Sequence, residues 1–264
     1  MPKKSTNEIP LAGGGRTAVF RKGNTVLRET GPWAPTVHTL LNHLEHVGYS
    51  GAPRVVGSGF DAQGRETLSY LEGEFVHPGP WVEDAMPLLG KLLRGLHDAT
   101  KSFAVPKDAV WRTWHGRTLG SSNHVIGHCD TGPWNIVAQD GLPVALIDWE
   151  VAGPVDPLFE LAHACWLNAQ LHDDDIAELQ GLADVETRAC HVRAILDGYG
   201  LPRAQRVGFV DKIIEFAIHD AAAQAIEAKV TPETKDPEPL WGITWRTRSA
   251  TWMLRHRTQL QQAL

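Results

Sequence analysis

The amino-acid sequence predicts an α+β protein with two lobes: a small antiparallel sheet at the N-terminus, then a larger, mainly helical lobe. Residues 8–30 read as three short strands joined by turns at Gly13-Gly14-Gly15 and Lys22-Gly23-Asn24. From residue 81 onward, leucines and other apolar residues recur at helical spacing. A chain of 264 residues is long enough to form two lobes around a cleft.

The first lobe is expected to continue with a helix and a second hairpin. Apolar residues at positions 37, 40, 41 and 44 predict a helix over about 36–47. A strand near Val55, a turn within Asp61–Gly64 and a strand over Glu66–Leu71 follow. We place the end of this lobe near Glu72, so that the lobes cover residues 1–72 and 73–264.

Composition argues against several classes of protein. The net charge of −6 disfavours a dedicated nucleic-acid binder, which would present a basic face, and is compatible with a cationic small-molecule partner. Three cysteines without paired spacing are typical of reduced thiols in a cytoplasm. The N-terminus lacks the apolar run of a signal peptide, and no apolar stretch approaches the ~20 residues of a membrane span. We therefore expect a soluble, cytoplasmic protein with neither nucleic-acid nor membrane partners.

The segment from His128 to Asp148 carries the strongest functional pattern. Asp130 precedes Asn135 by five residues, and Asp148 follows Asn135 by thirteen. The intervening sequence, IVAQDGLPVALI, predicts two strands folded about an Asp-Gly turn at positions 140–141. Because a hairpin returns its far end beside its near end, we expect Asn135 and Asp148 to be neighbours.

This arrangement predicts a cation site beside a base. Asn135 offers a neutral oxygen and Asp148 a charged one, which suits Mg²⁺ better than Zn²⁺, since zinc prefers Cys and His. Asp130 then remains as a carboxylate that could accept a proton. Cys129 lies in the same loop, but the flanking Asp and Asn explain the pattern without a thiol nucleophile.

The pattern resembles the catalytic loop of kinases, His-x-Asp-x-x-x-x-Asn, followed by a metal-binding aspartate. Gly132 stands where protein kinases usually have Lys or Arg, and no Ala-Pro-Glu element follows. The closer resemblance is to the aminoglycoside phosphotransferase and choline kinase superfamily, whose members carry HxDxxxxN, then IDxE, then a Gly-x-x-Asp-Pro segment. Residues 147–150 and the segment beginning at Gly153 and Asp156-Pro157 fit this order.

The resemblance implies a protein-kinase-like fold and transfer of the γ-phosphate of ATP or GTP to a hydroxyl group of a small molecule. Asp130 would act as the base, and Asn135 and Asp148 would hold Mg²⁺. His128 would brace the loop. ATP and GTP both stay open as donors, as does the oligomeric state.

The resemblance also implies roles for the first lobe. Gly13, Gly14 and Gly15 would cover the nucleotide phosphates, although the same glycines also fit a flexible turn. Arg28 stands where the superfamily has a phosphate-binding lysine, and His38 where it has the partner glutamate, so Glu45 is the expected partner. Ser69, Tyr70 and Leu71 resemble the hinge that meets the adenine edge.

The acceptor is expected to bind in the C-terminal half, on the side of Asp130 opposite the nucleotide. Its acidic residues could receive a cationic acceptor such as an aminoglycoside or amino alcohol, or could simply be solvated. The acidic positions are Asp173, Asp174, Asp175, Asp211, Glu215 and Asp220. Trp241, Trp245 and Trp252 recur at helical spacing and favour packing over a stacking platform.

Two other functions fit parts of the pattern. A pseudokinase would bind nucleotide without transferring phosphate, and Arg28 and His38 favour it. A metal-dependent phosphohydrolase could use His128, Asp130 and Asp148, but that class needs further His or Asp ligands.

Overall fold

The computed structural model describes residues 8–11, 18–122 and 124–264. The predicted glycine turn at Gly13, Gly14 and Gly15 lies outside these residues. The described chain forms a small antiparallel sheet with one helix, followed by a larger and mostly helical part, and the α+β prediction is therefore confirmed. The boundary near residue 72 stays a prediction.

The N-terminal sheet has the strand order β1-β2-β3-β5-β4, with all neighbours antiparallel. Its strands are β1 Ile9–Pro10, β2 Val19–Lys22, β3 Thr25–Arg28, β4 Val55–Phe60 and β5 Glu66–Ser69. β2 and β3 form a tight hairpin in which Lys22 faces Thr25, so Gly23 and Asn24 make the turn. Gly23 has a φ of +60°, a conformation that glycine adopts without steric cost.

Helix α1, Ala34–His46, packs against this sheet. Pro35 stands in its first turn, where the fixed φ of proline suits a helix start. The predicted apolar positions are all buried, namely Val37, Leu40, Leu41 and Leu44. The predicted helix over 36–47 is therefore confirmed, with ends shifted by one or two residues.

The C-terminal part contains the longer helices. They are α2 Ala85–Thr100, α3 Pro157–Asn168, α4 Asp174–Gln180, α5 Val185–Tyr199, α6 Phe209–Glu227, α7 Pro237–Arg255 and α8 Arg257–Gln262. The backbones of α2 and α5 lie very close together at Gly90. A Cβ atom built on Gly90 would lie 2.0 Å from the carbonyl oxygen of Ile195. Glycine is thus required there for the backbones to pack.

Two short ladders lie between α2 and α3. β6 Val125–Gly127 pairs with β9 Gly153–Val155, and β7 Ile136–Gln139 pairs with β8 Leu142–Leu146. Single 3₁₀ turns cover His115–Thr118, Pro133–Asn135, Trp149–Val151 and Arg203–Gln205. The chain between the two parts adds a bridge to β7, since Glu74 and Ala138 exchange backbone hydrogen bonds of 2.9 Å.

A hydrophobic core runs from α1 through α2 and α3 to the C-terminal helices. Its largest fully buried side chains include Trp149, Trp166 and Trp252. No helix in the described part of the chain has the length and apolar content that a membrane crossing requires.

Candidate active site

The β7–β8 hairpin returns the chain to the loop from which it started. Its turn residues Asp140 and Gly141 have φ values of +53° and +75°, as a two-residue type I′ turn requires. At the open end, the N–H of Ile147 donates to the carbonyl oxygen of Asn135 at 2.9 Å. The predicted hairpin is confirmed. Asp148 is the residue directly after Ile147, which is hydrogen-bonded to Asn135.

His128 braces the loop that carries Asp130. The ring is fully buried, and its Nε2 donates to the carbonyl oxygen of Ile147 at 2.8 Å. Its Nδ1 accepts from the backbone N–H of Asp130 at 3.2 Å. Burial lowers the pKa of His128, so the ring stays neutral, with its proton on Nε2. This geometry suits a structural role and leaves no ring nitrogen for proton transfer.

Asn135 closes the same loop from its other end. Its Nδ2 donates to the carbonyl oxygen of Asp130 at 3.1 Å, and the residue is buried. With the amide nitrogen committed to the loop, Oδ1 is the atom that Asn135 can offer to a cation. Asp130 itself is half-buried.

Cys129 is a structural residue of the loop. It has a φ of +68°, and its N–H donates to Glu160 Oε1 at 2.6 Å. Burial, assisted by the Glu160 charge, raises the pKa of the Cys129 thiol well above its ordinary value. A protonated, fully buried thiol is a poor nucleophile.

Glu160, on α3, supports the loop and was not identified from the sequence. His97 Nε2 donates to its Oε2 at 2.6 Å, and His97 Nδ1 lies 2.7 Å from the Tyr199 hydroxyl. Although burial raises the pKa of the Glu160 carboxyl, the hydrogen bond from His97 and the N–H of Cys129 hold it below its ordinary value. His97 is therefore a structural residue.

Two arginines contact the carboxylates that follow the hairpin. Asp148 has left-handed backbone geometry (φ +61°, ψ +64°), its side chain is 40% exposed, and its Oδ1 accepts from Arg28 Nη1. Glu150 forms an ion pair with Arg112. Burial and the neighbouring Asp148 raise the pKa of the Glu150 carboxyl, although Arg112 opposes the shift.

Arg28 pairs with Glu66, a residue that the sequence pattern does not indicate. Its Nε donates to Glu66 Oε2 at 2.5 Å, and the other oxygen of Glu66 accepts from His38 Nε2 at 2.9 Å. Arg28 and Glu66 stand directly opposite each other on β3 and β5. The expectation that Glu45 pairs with Arg28 is wrong, because Glu45 is exposed and lies 3.9 Å from Arg54 instead.

The expected hinge residues lie at the end of β5 and directly after it. The N–H of Ser69 donates to the carbonyl oxygen of Arg54 at 2.8 Å, and the N–H of Tyr70 donates to that of Asn24 at 2.8 Å. Both groups are therefore committed to the sheet and cannot donate to a base. Leu71 comes next and is half-buried.

The donor set fits a cation that arrives with phosphate. Within residues 8–11, 18–122 and 124–264, no group of three or more His, Cys, Asp or Glu side chains is arranged to hold a metal ion. Mg²⁺ typically takes only one or two protein carboxylates and completes its octahedron with water and substrate phosphates. Asn135 and Asp148 meet that requirement. The phosphohydrolase hypothesis, which needs a larger ligand cluster, finds no support there.

Comparisons with known proteins decide the family. Residues 105–191 match the model described as the phosphotransferase enzyme family. Over 258 residues the chain is 66% identical to the trifolitoxin immunity protein of Rhizobium leguminosarum bv. trifolii, covering 98% of this chain and 99% of that protein. The chain belongs to the phosphotransferase enzyme family.

Solved structures share the protein-kinase-like fold of this family. The amicoumacin kinase hAmiN, in complex with AMP-PNP, Ca²⁺ and Ami, aligns with a TM-score of 0.67 at 14% identity, over 94% of this chain and 89% of that one. A choline/ethanolamine kinase family protein from Mesorhizobium loti aligns with a TM-score of 0.64 at 13% identity, over 98% and 93%. These likenesses show the fold.

The Asp-Pro element of the family segment is a helix start in this chain. Asp156 Oδ1 accepts from the N–H groups of Leu158 and Phe159 at 2.8 and 3.2 Å, and Pro157 opens α3. The other carboxylate oxygen accepts from the N–H and hydroxyl of Ser121, each at 2.8 Å. Asp156 is therefore the N-cap of α3, and Pro157 occupies the first helical position, where proline is favoured.

Most of the acidic residues expected to attract a cationic acceptor are already neutralised. Arginines of α7 and α8 form ion pairs with five of the six acidic residues that the sequence offers for a cationic acceptor, and the sixth, Glu215, is exposed. The pairs are Asp173–Arg248, Asp175–Arg248, Asp174–Arg255, Asp211–Arg257 and Asp220–Arg246. The acidic residues of α4 and α6 therefore do not form a surface of unpaired negative charge that could attract a cation.

The tryptophans of α7 mostly serve packing. Trp252 is fully buried, and Trp245 packs on Trp166 with ring centroids 5.3 Å apart. Trp241 is 48% exposed, so the packing prediction is wrong for that residue alone.

Proposed function

We propose that the chain is a Mg²⁺-dependent phosphotransferase that moves the γ-phosphoryl group of ATP or GTP to a hydroxyl group of a small molecule. The observation that carries this proposal is the return of the β7–β8 hairpin, which brings Asp148 back to the loop of Asp130 and Asn135. Membership of the phosphotransferase family supports it.

In the proposed reaction, Asp130 accepts the proton of the acceptor hydroxyl as its oxygen attacks the γ-phosphorus in line. The new O–P bond forms while the bond to the nucleoside diphosphate breaks. A positioned general base contributes typically ~10²–10⁴-fold. The two hydrogen bonds of His128 hold Asp130 in place, so little reorganisation is needed when the acceptor arrives.

Asn135 Oδ1 and Asp148 would hold the magnesium ion. When bound, the ion supplies positive charge to the phosphate oxygens. Arg28 contacts Asp148, so its guanidinium lies where phosphate oxygens would come and can bind them. Gly13, Gly14 and Gly15 remain the proposed cover of the phosphates.

The nucleotide base is proposed to meet the chain after β5. The N–H groups of Ser69 and Tyr70 bond within the sheet, so among the three expected hinge residues Leu71 is the best donor to the base edge. Recognition through backbone groups is compatible with either ATP or GTP.

We propose that the acceptor is a toxin and that phosphorylation inactivates it. The support is the 66% identity, over nearly the whole chain, to a protein named for immunity to trifolitoxin. The carboxylates of α4 and α6 that pair with arginines of α7 and α8 argue against a polycationic acceptor, because an incoming cation would have to displace those arginines. An acceptor of low charge is therefore favoured over an aminoglycoside.

Replacement of Asp130 by Asn tests the mechanism, because the change keeps shape and removes the base. Purified chain is incubated with Mg²⁺, ATP or GTP, and trifolitoxin, aminoglycosides, choline or sugars, and nucleoside diphosphate release is measured. We expect D130N to lose ~10²–10⁴-fold in turnover and to keep nucleotide affinity. Asp140→Asn, an equal change in the exposed hairpin turn, is the control. Normal turnover by D130N would end the proposed mechanism.

A nucleotide-binding protein without transfer activity is the second candidate. The contact of Arg28 with Asp148 favours it, since an arginine already neutralises the proposed cation ligand. Protection of a sensitive strain separates the two. A transferase loses protection with D130N, whereas a protein that acts by binding alone protects equally well with D130N.

A further inference from the structure

We propose that Glu66 and His38 are positioning residues that aim Arg28 at the nucleotide phosphates. The glutamate of the phosphate-binding ion pair thus comes from strand β5, and helix α1 supplies the histidine that holds it. This inference rests on the proposed function, because it assumes that a nucleotide binds beside Arg28. Arg28 and His38 both depart from the family pattern, and this inference assigns them to one arrangement.

The guanidinium of Arg28 contacts a carboxylate on each of two sides. Glu66 accepts from Nε at 2.5 Å, while Nη1 points to Asp148. Arg28 is 12% exposed, so its charge is largely withdrawn from water. In the planar guanidinium, one N–H of Nη2 points to the same side as Nε–H, whereas the N–H groups of Nη1 point away from Glu66. Glu66 therefore sets the direction in which Arg28 presents Nη1 to a ligand.

Glu66 is suited to this role because it is buried and ionised. Its side chain is 1% exposed. Although burial raises the pKa of the carboxyl, the hydrogen bond from His38 and the charge of Arg28 hold it below its ordinary value. One oxygen faces Arg28 and the other faces His38. Loss of either partner would leave a buried carboxylate oxygen without a donor, which is costly.

His38 is enclosed in a way that fixes its ring. The ring packs on Phe60 with centroids 4.9 Å apart, and a Cβ built at Gly59 would lie 2.4 Å from Nδ1. Since the carboxylate of Glu66 can only accept, His38 donates through Nε2. A glutamate at position 38 would place a second carboxylate against Glu66, so the histidine is complementary to Glu66 and not a lost glutamate.

Nucleotide binding to the full-length chain tests this role without knowledge of the acceptor. Affinities for Mg²⁺-ATP or Mg²⁺-GTP, whichever the wild type binds, are compared with those for the matching nucleoside. We expect His38→Ala to weaken triphosphate binding by about tenfold, because a Glu66 that has lost the hydrogen bond from His38 no longer holds Arg28 in one direction. Nucleoside affinity should stay nearly unchanged, because it reports the base and ribose contacts alone.

Three further variants separate positioning from packing. His38→Gln can still donate an amide N–H to Glu66 and should restore triphosphate affinity towards wild type. His38→Glu should weaken it further, owing to the opposed carboxylates. His46→Ala changes an exposed histidine of the same helix and should alter neither affinity. Thermal unfolding of each variant identifies any global loss of structure.

The outcomes distinguish this inference from the proposed function. A wild-type chain that bound no nucleotide would overturn both. Wild-type binding with an unchanged His38→Ala, equal losses for triphosphate and nucleoside, or tighter binding by His38→Glu would each overturn the positioning role alone. Failure of His38→Gln to recover affinity in a folded chain would do the same.

Discussion

His128 and Ile147 are joined by a hydrogen bond that ties the loop of Asp130 to the end of the β7–β8 hairpin. The donor, Nε2, lies 2.8 Å from the carbonyl oxygen, and the ring is buried against Trp149 with centroids 4.8 Å apart. The same ring accepts from the backbone of Asp130. The proposed base and the strand end that delivers Asp148 are therefore held together by one side chain.

Replacement of His128 by Ala should weaken both stability and turnover. The change removes the hydrogen-bond partner of two half-buried backbone groups, the carbonyl oxygen of Ile147 and the N–H of Asp130, and opens a cavity beside Trp149. We expect the free energy of unfolding to fall by about 2–4 kcal/mol, measured by denaturant titration. Turnover should fall even where the variant is fully folded, because Asp130 loses its support.

Exposed His124, shortly before this loop, provides the control for that prediction. His124→Ala should leave unfolding and turnover near wild type. A fully active His128→Ala would contradict the bracing role.

The central hairpin could be predicted because its determinants are local. An Asp-Gly pair fixes the turn, and apolar runs on either side fix the strands, so Asp140 and Gly141 place Asp148 without knowledge of the rest of the fold. The cap at Asp156 was predictable for the same reason, since its hydrogen bonds reach only two and three residues ahead along α3.

The partner of Arg28 could not be identified from helix periodicity. Glu45 lies seven residues after His38, roughly 10 Å along the helix axis, and contacts Arg54 instead. The true partner, Glu66, depends on the pairing of β3 with β5 across 38 residues. Opposite charges that face each other across paired strands stabilise a sheet, so a pairing of the predicted strands that placed Arg28 opposite Glu66 would have suggested this partner.

The state of the acidic residues in the C-terminal half was also beyond local reasoning. Asp211 pairs with Arg257, and Asp174 with Arg255, across long sequence separations that only helix packing creates. A single sequence shows where carboxylates occur and does not show which of them are neutralised.

Removal of the proposed cation ligands should affect nucleotide binding in an ion-dependent way. We expect Asp148→Asn to weaken Mg²⁺-nucleotide affinity more strongly than Asn135→Ala, because the charged oxygen binds a hard cation more strongly. Titration of Mg²⁺ at fixed nucleotide measures the effect, and both variants should require more Mg²⁺ for half-maximal binding. Affinity for nucleotide in the presence of a chelator should change little for Asn135→Ala.

Asp140→Asn is the matched change for this prediction, since it removes an exposed carboxylate from the far end of the same hairpin. It should leave the Mg²⁺ requirement at the wild-type value. An unaltered Mg²⁺ requirement in Asp148→Asn would show that the ion binds elsewhere.

His163 should make the fold sensitive to mild acid. It stacks on Phe216 with ring centroids 4.6 Å apart and is 5% exposed. Burial lowers the pKa of His163 to about 4, whereas an unfolded histidine titrates near 6.5. Between these values the unfolded chain binds a proton that the folded chain does not. The contribution of neutral His163 to the free energy of unfolding is therefore fully present above about pH 6.5. It falls on acidification, by at most about 1.4 kcal/mol per pH unit.

His163→Gln removes the titrating ring, so it should reduce the slope of unfolding free energy against pH by about 1 kcal/mol per pH unit on average between pH 6.5 and 5. The slope is the decisive quantity, because the loss of stacking on Phe216 lowers stability at every pH. Carboxylates such as Glu160, whose pKa lies below its ordinary value, contribute only at lower pH. The exposed His219 serves as control, and His219→Gln should keep the wild-type slope. Equal slopes for wild type and His163→Gln would mean that the buried ring takes up its proton in the folded chain.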